Sequence, residues 1–233
     1  MARVPRGRLC HEVMVPNLKG AKAALSAGAD RLIVFVSASE AHNQANVGRS
    51  IEASLADLEA IFQAAAQKKT PVAAAVATAF GCPFQGRVSR TAVLEIARRF
   101  VEHGADRITL ADTTGMANPK QVIETTAFFK NHLPETAICL HLHNNRGIAA
   151  ANLYAGYQAG MQIFDTSLGG IGGCPNVPLA AGNLATEDVV FLFESMGVNT
   201  GMDLAALIRA ARNLEKLLGR VLPGQVMKSG PIV

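Results

Sequence analysis

The sequence has no tryptophan, and aromatic residues make up only 5% of its 233 residues. Hydrophobic residues still reach 49%, so the core has to be built from alanine and aliphatic side chains. No apolar run approaches the roughly 20 residues that a membrane-spanning helix needs. The N-terminal stretch MARVPRGRLCHEV is basic but lacks the apolar segment of a secretory signal. We therefore expect a cytoplasmic protein with no membrane partner.

Paired cysteines are also missing. The four cysteines, Cys10, Cys82, Cys139 and Cys174, are scattered and form no C-x-x-C motif, which is typical of a reducing compartment. The net charge of +4 is small, and lysine and arginine are not interleaved with aromatic residues. This composition predicts no nucleic-acid partner.

Three segments repeat one local pattern, in which a glycine closely precedes an aliphatic run. They are AGADRLIVFV (27–36), HGADRITLAD (103–112) and AGMQIFDTSL (159–168). A glycine in this place suits the left-handed residue that closes a helix. A nearly continuous apolar run is typical of a buried parallel strand. Each segment therefore predicts the end of a helix followed by a strand.

Along the whole chain, the same reasoning predicts six strands that alternate with helices. The strands are expected near 12–15, 31–36, 72–78, 107–111, 137–143 and 162–167, and the helices near 18–27, 51–67, 89–104, 118–131, 147–158, 186–196 and 203–218. Strict alternation implies right-handed crossovers and a parallel sheet. The predicted fold class is therefore α/β.

Two parallel architectures are compatible with this alternation. A doubly wound dinucleotide-binding sheet should carry G-x-G-x-x-G after its first strand, but the glycine cluster GGIGGCP (169–175) follows the last strand. Polar residues instead follow several strands, namely Asn17, Ser39, Glu40, Asp112, Thr113, His141, His143 and Asp165. This distribution favours a TIM (β/α)8-type barrel, whose active site lies at the carboxyl ends of the strands. A closed barrel has eight units, however, and the sequence shows six.

The stretch AICLHLH predicts a strand with two histidines on one face. Residues two apart on a strand point the same way, so His141 and His143 share a face while Leu140 and Leu142 lie on the other. The leucines belong under the helices, which places both imidazoles in the lumen, as in a pair of metal ligands. The alternative is that the two histidines only form hydrogen bonds in a polar barrel mouth.

The segment GGIGGCPNVPLAAGNLATEDV (169–189) predicts a long loop, and long loops without secondary structure are usually functional or disordered. Its cysteine, Cys174, lies among small residues that would let the thiol approach a ligand closely. The alternative is an inert buried thiol. Asn183 precedes an acidic helix start at 186–188 and would serve simply as a turn residue in the plainest interpretation.

Seven motifs in order then point to a known family. They are VPNLKG (15–20), SASEAHNQANVGRSIEAS (37–54), GCPFQG (81–86), LADTTG (110–115), HLHNNRG (141–147), GGIGGCP (169–175) and GNLATEDVVFLFESMGVNTG (182–201). From about residue 12 to the end, the chain resembles 3-hydroxy-3-methylglutaryl-CoA lyase, a divalent-metal TIM-barrel lyase. The related isopropylmalate and homocitrate synthases lack the cysteine loop and the GNLATED run.

The resemblance implies that His141 and His143 bind Mg²⁺ or Mn²⁺ and that Asn183 reaches the metal from its loop. The metal would hold the tertiary hydroxyl and an acyl oxygen of an acyl-CoA thioester and act as a Lewis acid. Cleavage of the C–C bond would give acetoacetate and the enolate of acetyl-CoA. Cys174 would take part in proton transfer near that enolate, and His141 is the second candidate catalytic residue.

Three further residues are candidates for positioning the substrate or the metal ligands. They are Glu40, Asp112 and Thr113, which follow strands and would lie beside the metal site. For Glu40 and Asp112 the alternative is a helix cap or a hydrogen bond within a loop.

The chain departs from the family at two places. Asn144 stands where an aspartate is often found. The family's first strand, with an Arg-Asp-Gly motif that supplies a metal ligand and a cation for the enolate, has no counterpart, because PRGR (5–8) lacks the acid. We therefore expect residues 1–233 to be a single TIM-barrel domain, shortened at its N-terminus to about six βα units plus C-terminal helices.

The expected function is that of a hydroxymethylglutaryl-CoA lyase-like carbon–carbon lyase. One alternative is a catalytically impaired barrel fragment that binds an acyl-CoA or a partner without turnover. Another is a condensing synthase that uses Claisen chemistry. A homodimer would cover the exposed edges of a six-unit sheet.

Overall fold

Six parallel strands form one sheet in sequential order in the computed structural model, which describes residues 9–173 and 181–230. The strands are β1 (Glu12–Met14), β2 (Arg31–Ser37), β3 (Val72–Ala77), β4 (Ala105–Asp112), β5 (Ala137–Leu142) and β6 (Ile163–Asp165). The α/β class and all six predicted strands are confirmed, with ends within two residues of the expected ones.

The helices follow the strands in the predicted alternation. They are α1 (Leu18–Ser26), α2 (Glu40–Val47), α3 (Ile51–Gln67), α4 (Arg90–Glu102), α5 (Pro119–His132), α6 (Ala149–Gln158), α7 (Thr186–Ser195), α8 (Leu204–Leu218) and α9 (Val226–Ser229), with a 3₁₀ turn at Leu168–Gly170. Sequence analysis missed α2 and α9. In the described part of the chain, none of these helices combines the length and apolar character needed to cross a membrane.

Local sequence signals explain where the helices begin and end. Ser89 begins α4, because its hydroxyl accepts a hydrogen bond from the Ala92 N–H at 3.1 Å. Gly28, Gly104 and Gly160 follow the ends of α1, α4 and α6 with φ of 78°, 96° and 86°. These left-handed conformations suit glycine, as the recurring pattern predicted.

The sequential strand order decides between the two candidate architectures. Right-handed crossovers between strands that follow one another in one direction place every helix on the same face of the sheet. A doubly wound sheet reverses its strand order and carries helices on both faces. The observed sheet is a curled half-barrel of TIM type. The expected N-terminal shortening stays a prediction.

The two faces of the sheet differ in character. On the convex face, Leu140 and Leu142 of β5 are each 1% exposed and belong to the main apolar core beneath the helices. On the concave face, β3 contributes only the methyl groups of Ala73, Ala75 and Ala77. Because these side chains are small, the concave face stays open and can receive a ligand.

Candidate active site

A cleft of about 500 Å³ occupies the concave face of the half-barrel. Its polar lining residues are Glu12, His42, Asn46, Arg107, Thr109, Thr113, His141, His143, Asp165 and Asn183. Four of them, Thr113, His141, His143 and Asp165, lie at or directly after the carboxyl ends of β4, β5 and β6. The cleft therefore lies where the sequence predicted polar side chains to meet.

The two predicted histidines converge in this cleft. His141 Nε2 lies 2.9 Å from His143 Nε2, which confirms that both rings point to the concave face. His141 Nδ1 lies 2.9 Å from Asp165 Oδ2, because β6 pairs with β5 so that Asp165 stands beside His141. An ionised carboxylate only accepts hydrogen bonds, so His141 carries its proton on Nδ1 and presents a lone pair at Nε2.

Burial and neighbouring groups shift the pKa values of His143 and Asp165 in this cleft. Burial, and then the neighbouring His141, lower the pKa of His143 to about 4. His143 is therefore neutral at neutral pH, the form that binds metal ions. Burial acts to raise the pKa of Asp165, but the hydrogen bond and charge of His141 outweigh it, and the pKa of this carboxyl lies below its usual value.

Asn183 completes the group from a loop that docks on the end of β5. Hydrogen bonds from Asn144 N to Gly182 O (2.9 Å) and from Leu184 N to Leu142 O (3.3 Å) hold this loop in place. The Asn183 amide donates to Ile171 O at 2.8 Å. Its Oδ1 is buried and has no hydrogen-bond partner among the described residues.

These observations fit a divalent cation. The two Nε2 atoms share a hydrogen bond of 2.9 Å, and a buried amide oxygen nearby has no donor among the described residues, so a cation that displaced the shared proton would meet three donor atoms. Mixed nitrogen and oxygen donors are compatible with Mg²⁺ or Mn²⁺. The described residues contain no cluster of three or more His, Cys, Asp or Glu side chains that could hold a metal, so the third donor would be a neutral amide. The structure brings the three predicted ligands together, and metal binding by them stays a prediction.

Glu40 takes the role of a cap. Its two carboxylate oxygens accept from the Ile51 N–H at 3.1 and 3.3 Å, at the start of α3, and its exposed side chain is absent from the cleft lining described above. This contact is the one expected from the alternative in which Glu40 caps a helix. A contact between Glu40 and substrate stays an untested prediction.

Asp112 and Thr113 both stabilise the loops above the sheet. Asp112 is 1% exposed, and its carboxylate accepts from Met116 N at 2.8 Å and from Ala117 N at 3.2 Å. Burial raises the pKa of Asp112 to about 6. Thr113 lines the cleft, and its hydroxyl accepts from the N–H of Thr78 at 3.0 Å. Thr113 is therefore the better placed of the two to meet a ligand.

Cys174, the predicted proton-transfer residue, lies outside the residues that the structure describes. Cys139 faces the cleft, but burial raises the pKa of its thiol to about 12. A thiol with that pKa is protonated at neutral pH and is a poor nucleophile.

Sequence analysis assigned no specific role to several residues that line the cleft, among them Asp165, His42 and Asn46. Asp165 was recognised as a polar strand end, but its hydrogen bond to His141 depends on the pairing of β5 with β6. His42 and Asn46 lie on α2, which was itself missed. The signals for α2 were Ser39, whose hydroxyl accepts from His42 N, and Gly48, which ends the helix with φ of 70°.

Fold and site together define a class of protein: an α/β half-barrel with a polar, metal-compatible site at the carboxyl ends of its strands. The comparison with family models agrees with this class. The model of the HMGL-like family matches residues 4–214, and the chain belongs to this family.

Two known relatives and one solved structure are similar to this chain over most of its length. The (R)-citramalyl-CoA lyase of Chloroflexus aurantiacus is 43% identical over 219 residues, which cover 94% of this chain and 69% of the relative. A hydroxymethylglutaryl-CoA lyase of Bacillus subtilis is 38% identical over 222 residues, which cover 94% and 74%. The structure of an HMG-CoA lyase from Acinetobacter baumannii in complex with coenzyme A and 3-methylmalate has a TM-score of 0.93 and 42% identity, covering 98% of this chain and 75% of that one. The predicted resemblance to HMG-CoA lyases is confirmed.

Proposed function

We propose that the protein is a metal-dependent acyl-CoA lyase that cleaves a 3-hydroxy-3-methylglutaryl-CoA-like thioester into acetyl-CoA and acetoacetate. The observation that carries the proposal is the convergence of His141 and His143 Nε2 at 2.9 Å in the cleft, beside Asn183 Oδ1, which has no hydrogen-bond partner in the part of the chain that the structure describes. The names of the relatives support the reaction class, and the set of donor atoms supports the metal dependence.

His141, His143 and Asn183 would hold Mg²⁺ or Mn²⁺. When bound, such an ion polarises the substrate hydroxyl and acyl oxygens and eases removal of the hydroxyl proton. Asp165 fixes the His141 tautomer and would stabilise positive charge on the ring. His141 Nε2 cannot hold the ion and the hydroxyl proton together, so in a step where His141 takes that proton the ion would be held by His143 and Asn183.

The electrons of the reaction balance without a further reactant. Loss of the hydroxyl proton turns the carbinol into a ketone, and the bond between C2 and C3 breaks with its electron pair on the thioester fragment. The resulting enolate takes up one proton at carbon and becomes acetyl-CoA. We propose Cys174 as the group that handles this proton, because it directly follows in sequence Gly173, which lines the cleft.

A second substrate has a specific observation in its favour. The relative from Chloroflexus aurantiacus is named for (R)-citramalyl-CoA, and the structure from Acinetobacter baumannii holds 3-methylmalate. In citramalyl-CoA the carboxylate is attached directly to the carbinol carbon, whereas 3-hydroxy-3-methylglutaryl-CoA has one more methylene between them. The same bond cleavage would then give pyruvate with acetyl-CoA.

The test is to assay acetoacetate and pyruvate release from the two thioesters, with Mg²⁺ or Mn²⁺ and with a chelator. We expect turnover of one thioester that the chelator abolishes and that His143→Ala loses, while the exposed His132→Ala retains it. Chelator-insensitive turnover would refute the metal assignment. A folded chain that binds the thioesters without releasing either product would support the impaired-fragment alternative. Condensation of acetyl-CoA with a keto acid would support the synthase.

A further inference from the structure

One backbone carbonyl decides which end of the Asn183 amide is free. Asn183 Nδ2 lies 2.8 Å from Ile171 O and donates to it. Because a carbonyl oxygen can only accept, the NH₂ group and not Oδ1 has to face Ile171. The amide oxygen is then left without a hydrogen-bond donor among the described residues, although it is buried. The position of the Ile171 carbonyl therefore controls whether Asn183 can offer an oxygen to a cation.

The same carbonyl has a second donor, the hydroxyl of Ser167. Ser167 Oγ donates to Ile171 O at 2.6 Å, so the two lone pairs of this oxygen are both used. Ser167 lies two residues after β6 and is fixed to the segment that carries Asn183. Its N–H donates to Leu184 O at 3.0 Å, and its carbonyl accepts from Thr186 N at 2.9 Å. The hydroxyl thus joins Ile171 to a part of the backbone that is already anchored.

The backbone around Ile171 is weakly constrained without this hydroxyl. Ile171 N lies 3.5 Å from Leu168 O, which is long for a hydrogen bond. Its neighbours Gly170 and Gly172 have φ of 72° and 90°, and glycine allows many backbone conformations. The direction of the Ile171 carbonyl therefore depends on the two donors that it accepts from.

The geometry around Asn183 makes the orientation of its amide important for the candidate metal site. His143 and Asn183 form an antiparallel bridge, in which directly opposed side chains lie on the same face. Both residues line the cleft. On the other side of the amide the chain passes closely, since a methyl group at Gly172 would lie 2.9 Å from Asn183 Nδ2. The amide is thus enclosed beside His143, and a small movement of the Ile171 carbonyl would disturb it.

We propose that Ser167 is a positioning residue of the candidate metal site. Its hydroxyl holds the Ile171 carbonyl, the carbonyl holds the NH₂ group of Asn183, and Oδ1 is thereby presented to the cation. This assignment rests on the proposed function, because it takes Asn183 as a metal ligand. Without the hydroxyl the carbonyl can rotate and the amide can turn over, and an NH₂ group cannot bind a cation.

Ser167→Ala removes the hydroxyl and leaves the three donor atoms of the site in place. We expect its Kd for Mn²⁺, measured by electron paramagnetic resonance of the free ion, to rise about tenfold, as for other partners that orient a metal ligand. Ser167→Thr keeps the hydroxyl and should retain the wild-type Kd, because the extended backbone of Ser167, with φ of −132° and ψ of 144°, accepts a β-branched residue. Ser195→Ala is the matched control, since it loses a hydroxyl that donates to Leu192 O at 2.8 Å on α7.

The decisive measurement combines Ser167→Ala with Asn183→Ala. We expect Asn183→Ala alone to raise the Kd for Mn²⁺ at least tenfold, and Ser167→Ala in that background to add less than a twofold change, because Ser167 acts only through the amide. A general loss of structure would instead raise Kd by the same factor in both backgrounds. Equal factors, or no effect of Ser167→Ala in the intact site, would overturn the assignment. Mn²⁺ affinity that Asn183→Ala leaves unchanged would refute the metal site itself, and the role of Ser167 with it.

The wild-type protein provides an independent check. In NMR spectra, the Nδ2 protons of Asn183 should exchange with water more slowly than those of the exposed Asn131, because one of them is held by Ile171 O. Ser167→Ala should accelerate this exchange, and Ser195→Ala should not. Equal exchange rates for Asn183 and Asn131 in the wild type would overturn the assignment, whatever the metal affinities show.

Discussion

Asp165 shows how one carboxylate prepares an imidazole for a ligand. It accepts from His141 Nδ1 at 2.9 Å and so directs the lone pair of Nε2 toward His143. The carboxylate gives this orientation because it has no hydrogen to donate. An amide in its place could donate to Nδ1 and stabilise the wrong tautomer.

Replacing that carboxylate should weaken metal binding without unfolding the chain. For Asp165→Asn we expect Mn²⁺ affinity to fall about ten- to a hundredfold, the usual effect of losing a partner behind a ligating histidine. Electron paramagnetic resonance of free Mn²⁺ measures this directly. Asp57→Asn, which changes an exposed carboxylate paired with Arg49, is the control. Equal Mn²⁺ affinity in the two variants would contradict the role given to Asp165.

Asp112 should make stability depend on pH. Burial raises its pKa from 3.8 to about 6 in the folded protein, so the folded state holds this proton more tightly than the unfolded state. The resulting stabilisation is present below pH 3.8 and is lost as pH rises through 6. Relative to wild type, Asp112→Asn should therefore gain up to about 3 kcal/mol in free energy of unfolding between pH 4 and pH 7. Urea denaturation at both pH values tests this, and a pH-independent difference would contradict it.

At the scale of the elements, the caps rather than apolar periodicity decide where the helices lie. Helix α4 has both a serine N-cap and a stripe of apolar residues, and both of its ends were predicted to within two residues. Helix α2 has few apolar residues and buries His42 and Asn43 instead. A stripe of apolar residues therefore could not reveal α2, whereas its caps at Ser39 and Gly48 could have done so.

The cap of α4 gives a quantitative test. Ser89→Ala removes the hydroxyl that accepts from Ala92 N at 3.1 Å, and we expect the free energy of unfolding to fall by about 1 kcal/mol. Ser195→Ala is the control, because that hydroxyl only donates to Leu192 O within the last turn of α7. We would measure both variants by thermal or urea unfolding. An equal change in the free energy of unfolding would show that the Ser89 cap does not stabilise the helix.

At the scale of the whole molecule, the curl of the sheet brings β1 and β4 into contact although two strands separate them. Glu12 accepts from Arg107 Nη1 at 3.0 Å and from Arg31 Nη1 at 2.8 Å. Burial acts to raise the pKa of Glu12, but the hydrogen bonds from Arg107 and Arg31 outweigh it and lower the pKa. The stability that Glu12 contributes is thus present above pH 4.5 and is lost as pH falls through its folded pKa.

Breaking this cluster should cost more than breaking a surface pair. For Glu12→Gln we expect a loss of about 1–2 kcal/mol in the free energy of unfolding at pH 7, because two partly buried guanidinium groups lose their shared carboxylate. In Glu52→Gln the lost partner of Arg99 is 76% exposed, and no measurable change is expected. Equal free energies of unfolding for Glu12→Gln and Glu52→Gln would show that the cluster around Glu12 does not stabilise the curled sheet.

The sequence by itself determined which segments form the strands and most of the helices, and which face of a strand each side chain occupies. Glycines after helices, apolar runs and the period of two in AICLHLH depend on neighbours within a few residues, so a single sequence carries them. That is why six strands and the shared face of His141 and His143 were predicted. The caps that Glu40 and Asp112 provide were left as one of two alternatives, since a polar residue after a strand serves either purpose.

Only the tertiary structure decided which side chains meet. Asp165 reaches His141 across 24 residues of sequence, and His42 lines the same cleft as the metal candidates because β2 to β5 lie side by side in order. Local periodicity states which face a side chain occupies, but not which strand is its neighbour or at what register. Those are set by crossover handedness and by burial of the convex face against the helices, and both act on the folded sheet as a whole.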